Sequence, residues 1–470
     1  MKLVLRPLVH GFLPALAVLA GGPTLAAQEW FVAAPATLPP ARNAPALVYD
    51  VARQVTVMFG GAADGSVNGG LQDTWTWNGL DWTEQFPATV PPTRVYPQAS
   101  YDLARGVVVM FGGRIHGGPA ANSAMNDLWE WDGTNWTQVL AANTPPNRYG
   151  GSMCYDAARG VHVLFSGVSA TNASYNDTWE YDGATQAWTQ VTTAHLPGGR
   201  VYGAMAYDFT RSRCVLYGGA DDSFVVMPDV FWEYDGVDWT AVVPANSPGG
   251  AQGHTMAFDM ARSRVVIQGG QAAGRVFRVG TWEYDGTNCY HFDAEVNPAP
   301  AKYGASMSFD WARSRAVVFA GYSSSYQRLA ETVERDLAHT GFARYGAGCA
   351  HAGGTASVAL RNPAALGSTY GLDIGGLPAS ASVSVLFGFS NVSWSGLPLP
   401  FPLDSIGMPG CSLHTDVVLA LPVTNSGGAA TFSLAIPSQP ALAGLTFYNQ
   451  ALSIGSGGLH VSDAAEFRMW

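Results

Sequence analysis

The pentapeptide Trp-Glu-Tyr-Asp-Gly stands at 179–183, returns at 232–236 and returns again at 282–286. Two near copies, Trp-Thr-Trp-Asn-Gly at 75–79 and Trp-Glu-Trp-Asp-Gly at 129–133, precede it. Two carboxylates among aromatic rings are the equipment of glycoside hydrolysis, one acting as acid and the other as base or nucleophile. Repetition argues for scaffolding instead, because a catalytic pair is needed once. Glu180, Glu233 and Glu283 are therefore expected on outer strands, and Asp182, Asp235 and Asp285 in turns.

A second set of residues could bind. Arg94 with Tyr96, Arg148 with Tyr149 and Arg200 with Tyr202 recur in register, and a forked guanidinium suits carboxylates and sugar hydroxyls. An arginine repeated in register equally suits a tie between repeats. Residues that differ from repeat to repeat are the better candidates for reading a ligand: Arg114, His116, Tyr175, Asp221, Asp222, Phe224, Arg275, Arg278, Tyr322, Tyr326 and Arg328. His116 and His254 could serve a copper site, which would also need a Tyr-Cys cross-link. Cys154 and Cys214, however, occupy strand positions filled elsewhere by small residues and read as core. Asp64 and Asp221-Asp222 lack the alternating oxygen ligands of a calcium loop. There is no phosphate-cradling glycine loop, CxxC or HExxH. No catalytic residue, metal or cofactor is assigned.

The elements that position these residues come in six copies. An aromatic-Asp pair recurs at Tyr49-Asp50, Tyr101-Asp102, Tyr155-Asp156, Tyr207-Asp208, Phe258-Asp259 and Phe309-Asp310, a period of 51 to 54 residues. Ten residues after each Asp stands a small pair, from Gly60-Gly61 to Ala320-Gly321, with Asp-x-x-Arg between them in every copy. A fixed offset held six times marks one rigid supersecondary unit. Two strands join at the Asp-x-x-Arg turn. A third carries the pentapeptide, and its Asp-Gly or Asn-Gly turns into a fourth that begins at Trp82, Trp136, Trp188 or Trp239. From that Trp to the next Arg is twelve residues, and Trp30 to Arg42 repeats the spacing. The sixth unit lacks a fourth strand, so Trp30-Phe31-Val32 is expected to supply it and close a ring.

The double glycine closing strand two, with Tyr and Trp following in strands three and four, resembles the Kelch family over roughly residues 30–340. The resemblance implies an all-β, six-bladed β-propeller of the galactose oxidase/Kelch type, over 28–341, and is nearly silent on function, since such propellers serve as scaffolds, ligand binders and a few oxidases. The Asp-box of sialidases is absent, because here Asp and Gly are adjacent and no Ser precedes them. Loops 62–72, 114–126, 168–176, 220–229, 271–280 and 322–331 emerge on one face, the expected functional face; the pentapeptide turns lie on the other.

From about Tyr345 the repeats stop and charged residues nearly vanish. Short apolar runs between Gly and Pro predict a β-sandwich over 345–470. Its Tyr345–Cys349, Leu397–Pro400, Gly407–Cys411 and Tyr448–Gln450 stretches resemble a small C-terminal domain appended to secreted proteins of planctomycete-like bacteria. Of five cysteines, Cys349 and Cys411 are the pair expected to form a disulfide.

Lys2 and Arg6, an apolar stretch from Val9 to Ala20, and Thr24-Leu25-Ala26-Ala27 have the layout of a signal peptide over 1–27. The expected location is secreted or cell-surface, with no membrane span after cleavage. A net charge of -11, with 24 Lys and Arg in 470 residues, argues against nucleic acid. The function that follows is a monomeric binding or surface-interaction module for a glycan or extracellular protein. The alternative is an extracellular carbohydrate-active oxidase or hydrolase with its site at the propeller funnel.

Overall fold

The computed structural model describes residues 30–468 except 64–68, 117–122, 245, 261, 293–301, 337–341, 346–349, 352–353, 363–368, 390–392, 395–396, 400, 404–411, 416, 437–445 and 456–457. The expected signal segment and the expected Cys349–Cys411 pair lie outside the described residues. Among the described residues, apart from one 3-10 turn, Ala273–Arg275, the secondary structure is β. Among the described residues no helix is long and apolar enough to cross a membrane.

Six four-stranded antiparallel units, here called blades 1 to 6, begin with inner strands Ala46–Asp50, Gln98–Asp102, Ser152–Asp156, Ala204–Asp208, Gln252–Asp259 and Ser306–Asp310. Blade 3 shows the plan: Ser152–Asp156, Val161–Phe165, Thr178–Asp182 and Ala187–Val191 pair in chain order. In blade 6 the fourth strand is Trp30–Val32, with Trp30 opposite Arg335. The inner strands touch in order around a circle, and the first touches the sixth.

Two rings of backbone hydrogen bonds hold that circle. Near the axis, the amide of Ala44 donates to Gly304, Gly304 to Gly253, Gly253 to Tyr202, Tyr202 to Gly150, Gly150 to Tyr96 and Tyr96 back to Ala44, at 2.8–3.1 Å. All six residues have left-handed backbone, φ 52 to 64. Further out, the second residue of each small pair donates to the next blade: Gly61 to Arg94, Gly113 to Arg148, Gly167 to Arg200, Gly219 to Ala251, Gly270 to Lys302 and Gly321 to Arg42. The approach is close at the first residue of the pair, where a Cβ on Gly112 would lie 2.7 Å from the Arg148 carbonyl oxygen, and blades 3 and 6 nevertheless place Ser166 and Ala320 there with the same left-handed backbone.

The pentapeptide is an inter-blade clamp. Tyr181 Oη donates to Glu130 of the preceding blade at 3.1 Å, Tyr234 to Glu180 at 2.8 Å and Tyr284 to Glu233 at 2.8 Å. Arg335 and Trp77 do the same to Glu283 and Glu334. Each glutamate also takes the arginine of its own blade's turn, as in Arg159–Glu180 at 2.6 Å. The closing glycine lies under the previous blade's turn arginine, so a Cβ on Gly133 would sit 1.9 Å from Arg53 Nε. Blade 1 breaks the chain of clamps: it has Thr76 in place of Glu, and among the described residues Trp131 Nε1, at the corresponding place in blade 2, has no hydrogen-bond partner.

Between blades the core is aromatic and aliphatic, with Trp30, Trp82, Trp136 and Trp239 donating to buried threonines at 2.7–2.9 Å. Cys154, Cys214 and Cys289 are buried free thiols in this core. Blade 5 differs at its outer edge. Where blades 1 to 4 have exposed Thr after Trp, it has Cys289-Tyr290, and Tyr290 is buried against Ala464 and Tyr448. His291 pairs across the edge with Arg344 of strand Phe342–Tyr345, which pairs in turn with Gly458–Arg468, so the blade's sheet continues into the C-terminal part. There, strands Thr369–Gly375 and Ala429–Ala435 face Ser382–Gly388 and Thr446–Gly455 across a core that includes Leu372, Ile374, Val385, Phe432 and Ala451.

Candidate functional site

The face carrying the loops between second and third strands is built from short hairpins. Their closing bridges are Ala62–Gly70, Arg114–Ala124, Val168–Ser174, Ala220–Val226, Gln271–Phe277 and Tyr322–Arg328. Side-chain caps make the turns: Asp221 Oδ1 accepts the amides of Ser223 and Val225, Ser169 Oγ those of Thr171 and Ala173, and Ser323 Oγ that of Gln327. In blades 3 to 6 the tip residue is left-handed, and it is Asn172, Phe224, Arg275 and Tyr326, with φ 62, 58, 61 and 57. A bulky residue held there costs on the order of 1 kcal/mol or more against glycine. Blades 3, 4 and 6 thus repeat one backbone and vary the side chain, blade 5 reaches the same left-handed tip through a 3-10 turn in which Gly274 is left-handed too, and Phe224 and Tyr326 are 44% and 50% exposed.

An aromatic belt runs from these tips to the axis. Ring centroids are 6.3 Å apart for Phe224–Tyr202, 4.6 Å for Tyr202–Tyr96, 6.4 Å for Tyr202–Tyr303, 6.5 Å for Tyr303–Tyr322 and 6.3 Å for Tyr322–Tyr326. Two cations lie over it, Arg114 at 5.0 Å from the Tyr149 centroid and Arg328 at 5.0 Å from Tyr322. Arg328 Nε also donates to Asn43, and Tyr326 Oη accepts from Gln271. Burial first, and then mutual repulsion with neighbouring tyrosines, raises the hydroxyls of Tyr96, Tyr202 and Tyr303 far above the ordinary tyrosine range. They are neutral hydrogen-bonding groups.

On the axis the belt opens on a cavity of about 130 Å³. The residue after each member of the axial ring is Pro45, Pro97, Gly151, Gly203, His254 or Ala305, so a single polar side chain stands in that layer. His254 is 5% exposed, and among the described residues neither ring nitrogen has a well-formed hydrogen bond. Burial, then the charge of Arg278, pushes its pKa down to about 3, weakly opposed by the Tyr217 backbone. A neutral imidazole offers one donor and one acceptor, and leaving them unmet costs roughly 1–3 kcal/mol.

The remaining candidates are placed elsewhere. Arg94 and Arg148 are fully buried and Arg200 nearly so. Arg94 and Arg148 grip Asp127 and Asp177 with both fork nitrogens at 2.7–3.0 Å and bond carbonyls of their own blade, as Arg42 grips Asp73. Among the described residues Arg200 has only the carbonyls of Pro197, Gly198 and Gly218, and burial pushes it down to about 10. Tyr175 lies under Arg148, 4.3 Å from guanidinium to centroid. Arg278 donates to the carbonyls of Gly249 and Pro248, whereas Asp222 and Arg275 are exposed on their loops and His116 is half-buried. Tyr303 escaped the sequence reading, although it stands in register with Tyr149 after a Lys in the Arg position. Among the described residues no group of three or more His, Cys, Asp and Glu could hold a metal ion.

Residues 24–219 match the family model of the KLHDC2/KLHL20/DRC7 Kelch-repeats domain. The propeller is of the Kelch type. No curated protein matches the chain. Among solved structures, YjhT is similar at 13% identity over 63% of this chain and 95% of its own, with a TM-score of 0.49. A fungal alcohol oxidase of the AA5 family, in complex with copper, is similar at 12% identity over 94% of this chain and 100% of its own, with a TM-score of 0.45.

Proposed function

We propose that this Kelch-type propeller is an exported binding module that holds a glycan or another extracellular protein on its variable-loop face. The observation that carries the reading is the set of hairpin tips: a left-handed position held by four different non-glycine side chains, Asn172, Phe224, Arg275 and Tyr326. Strain kept in a surface loop needs a return, and contact with a ligand supplies one. Tyr and Arg in the belt are the residue types that dominate binding energy at interfaces, and their neutral hydroxyls and exposed faces suit sugars equally.

The test is a glycan-array and extracellular-protein screen of residues 28–470, repeated with Phe224→Gly and Tyr326→Ala. Phe224→Gly relieves a left-handed phenylalanine and raises unfolding stability by about 1 kcal/mol. Both variants should lose at least ten-fold in affinity for whatever the wild type captures. Equal binding by wild type and both variants would remove the tips from recognition. Bound metal with turnover of a carbohydrate would replace the module with an enzyme.

A further inference from the structure

Below the axial ring the propeller changes character. The residue after each aromatic-Asp pair opens a turn, where polar residues are usual. It is apolar in all six blades: Val51, Leu103, Ala157, Phe209, Met260 and Trp311. None of the six is fully buried. Phe209 and Trp311 meet edge-on across the opening, with centroids 5.2 Å apart and planes at 90°.

Inside this collar lies a second axial cavity of about 160 Å³. Its wall includes Leu47, Ala99, Met153, Met205, Met256 and Met307, one from the same position of each inner strand. The polar groups on the wall are already committed. Ser100 Oγ bonds His162 Nδ1 at 2.7 Å, and Ser308 Oγ bonds Thr56 Oγ1 at 3.2 Å. The hydroxyls of Tyr49, Tyr101 and Tyr207 accept the amides of Ala312, Ala52 and Ala158 and interact with Asp310, Asp50 and Asp156. Water entering such a space finds few of the two to four polar partners that hold buried water. A mainly apolar cavity of this size has room for a benzene-sized guest. Four methionines give the wall side chains that reshape around a guest and contact aromatic rings favourably.

We propose that the lower axial cavity is a binding site for a small uncharged apolar molecule, an aromatic ring or short alkyl group, admitted through the collar of Val51, Leu103, Phe209 and Trp311. The site is at the opposite end of the axis from the variable-loop face and does not depend on the reading of that face.

Fluorobenzene is the probe, followed by fluorine NMR with residues 28–470. A saturable shift is expected. Ala99→Met places in blade 2 the side chain that blades 3 to 6 already carry, fills the cavity, and should weaken fluorobenzene binding at least ten-fold with no loss of melting temperature. Should that variant fold poorly, xenon-pressurised crystals of the wild type decide: xenon on the axis beside Met205 and Met256 supports the site, and a chain of ordered waters there overturns it. The proposal also fails if fluorobenzene shows no saturable shift, if Ala99→Met binds it as tightly as wild type, or if Phe224→Gly abolishes binding, which would place the guest on the other face.

Discussion

Blades 3 and 4 share every landmark of the repeat and differ in how they hold one buried arginine. In blade 3, Arg148 has both oxygens of Asp177 and two carbonyls. In blade 4, Arg200 has three carbonyls and no carboxylate, because Val230 stands where Asp177 would be. The other blades show that cation and acid change together. Arg42 and Arg94 face Asp73 and Asp127, Lys302 faces Glu331 at 3.6 Å, and blade 5 has lost both, with Ala251 and Gly280. Yet the backbone bonds Gly167 to Arg200 and Gly219 to Ala251 persist through all of this. The lesson is that the carbonyl of this residue closes the ring, while its side chain fastens one blade internally. Relaxed constraint in blades 4 and 5 coincides with the buried His254 and the exposed Phe224 tip.

The largest effect expected from this difference is in blade 3. Asp177→Ala would leave Arg148 buried without a counter-charge, a change that costs about 3–5 kcal/mol when one member of a buried pair is removed. Val230→Ala at the corresponding place in blade 4 should cost about 1 kcal/mol or less, since it strands no charge. Urea unfolding of both variants checks the contrast. Equal losses would mean that the ion pair adds nothing beyond packing.

Lys302 sharpens the same comparison through pH. Its amine is almost fully buried, and burial pushes its pKa down to about 8, with Glu331 opposing. Between about pH 8 and the ordinary lysine value the unfolded chain binds a proton that the folded chain has released, so this site's contribution to stability rises with pH across that window. At neutral pH the buried charge costs about 3 kcal/mol relative to a solvent-exposed lysine. Lys302→Met removes the titration, so its advantage over wild type should shrink as pH goes from 7 to 10. A constant difference over that range would mean that Lys302 is no more reluctant to carry charge than a surface lysine.

The architecture was legible because its signals are local and repeated. Asp-x-x-Arg, the small pair and the Asp-Gly turn each specify a backbone shape within a few residues, and the twelve-residue spacing from Trp30 to Arg42 announced the closing strand that now pairs with Thr332–Asp336. The site was less legible for a physical reason. Arg94 and Arg148 look like ligand-binding residues until the fold brings Asp127 and Asp177, about thirty residues away, onto their forks. The tyrosines of the belt come from different registers, Tyr96 and Tyr202 on the axial ring and Tyr303 one residue before it, so no spacing rule groups them. Cys289-Tyr290 in place of Trp-Thr was visible as a departure, but only the pairing of His291 with Arg344 shows what covers that edge.

The smallest effect tests the clamp rather than the ion pair. Blade 1 alone among the six has no glutamate at this place: Thr76 leaves Trp131 Nε1 without an acceptor and Arg53 40% exposed, whereas Arg105 in blade 2 holds Glu130 at 2.8 Å. Thr76→Glu puts a carboxylate between the two waiting donors. It forfeits the bond from Gln85 Nε2 to Thr76 Oγ1, and a charge-assisted bond outweighs a neutral one, so stability should rise by about 1 kcal/mol. Glu130→Thr, the reverse change in blade 2, should lower it by a somewhat larger amount because it strands Tyr181 Oη and part of Arg105. Differential scanning calorimetry of the pair gives the sign directly. If Thr76→Glu melts below wild type while Glu130→Thr melts with it, the glutamate-centred bonds follow from blades being packed close by their aromatic core, and the clamp does not join them.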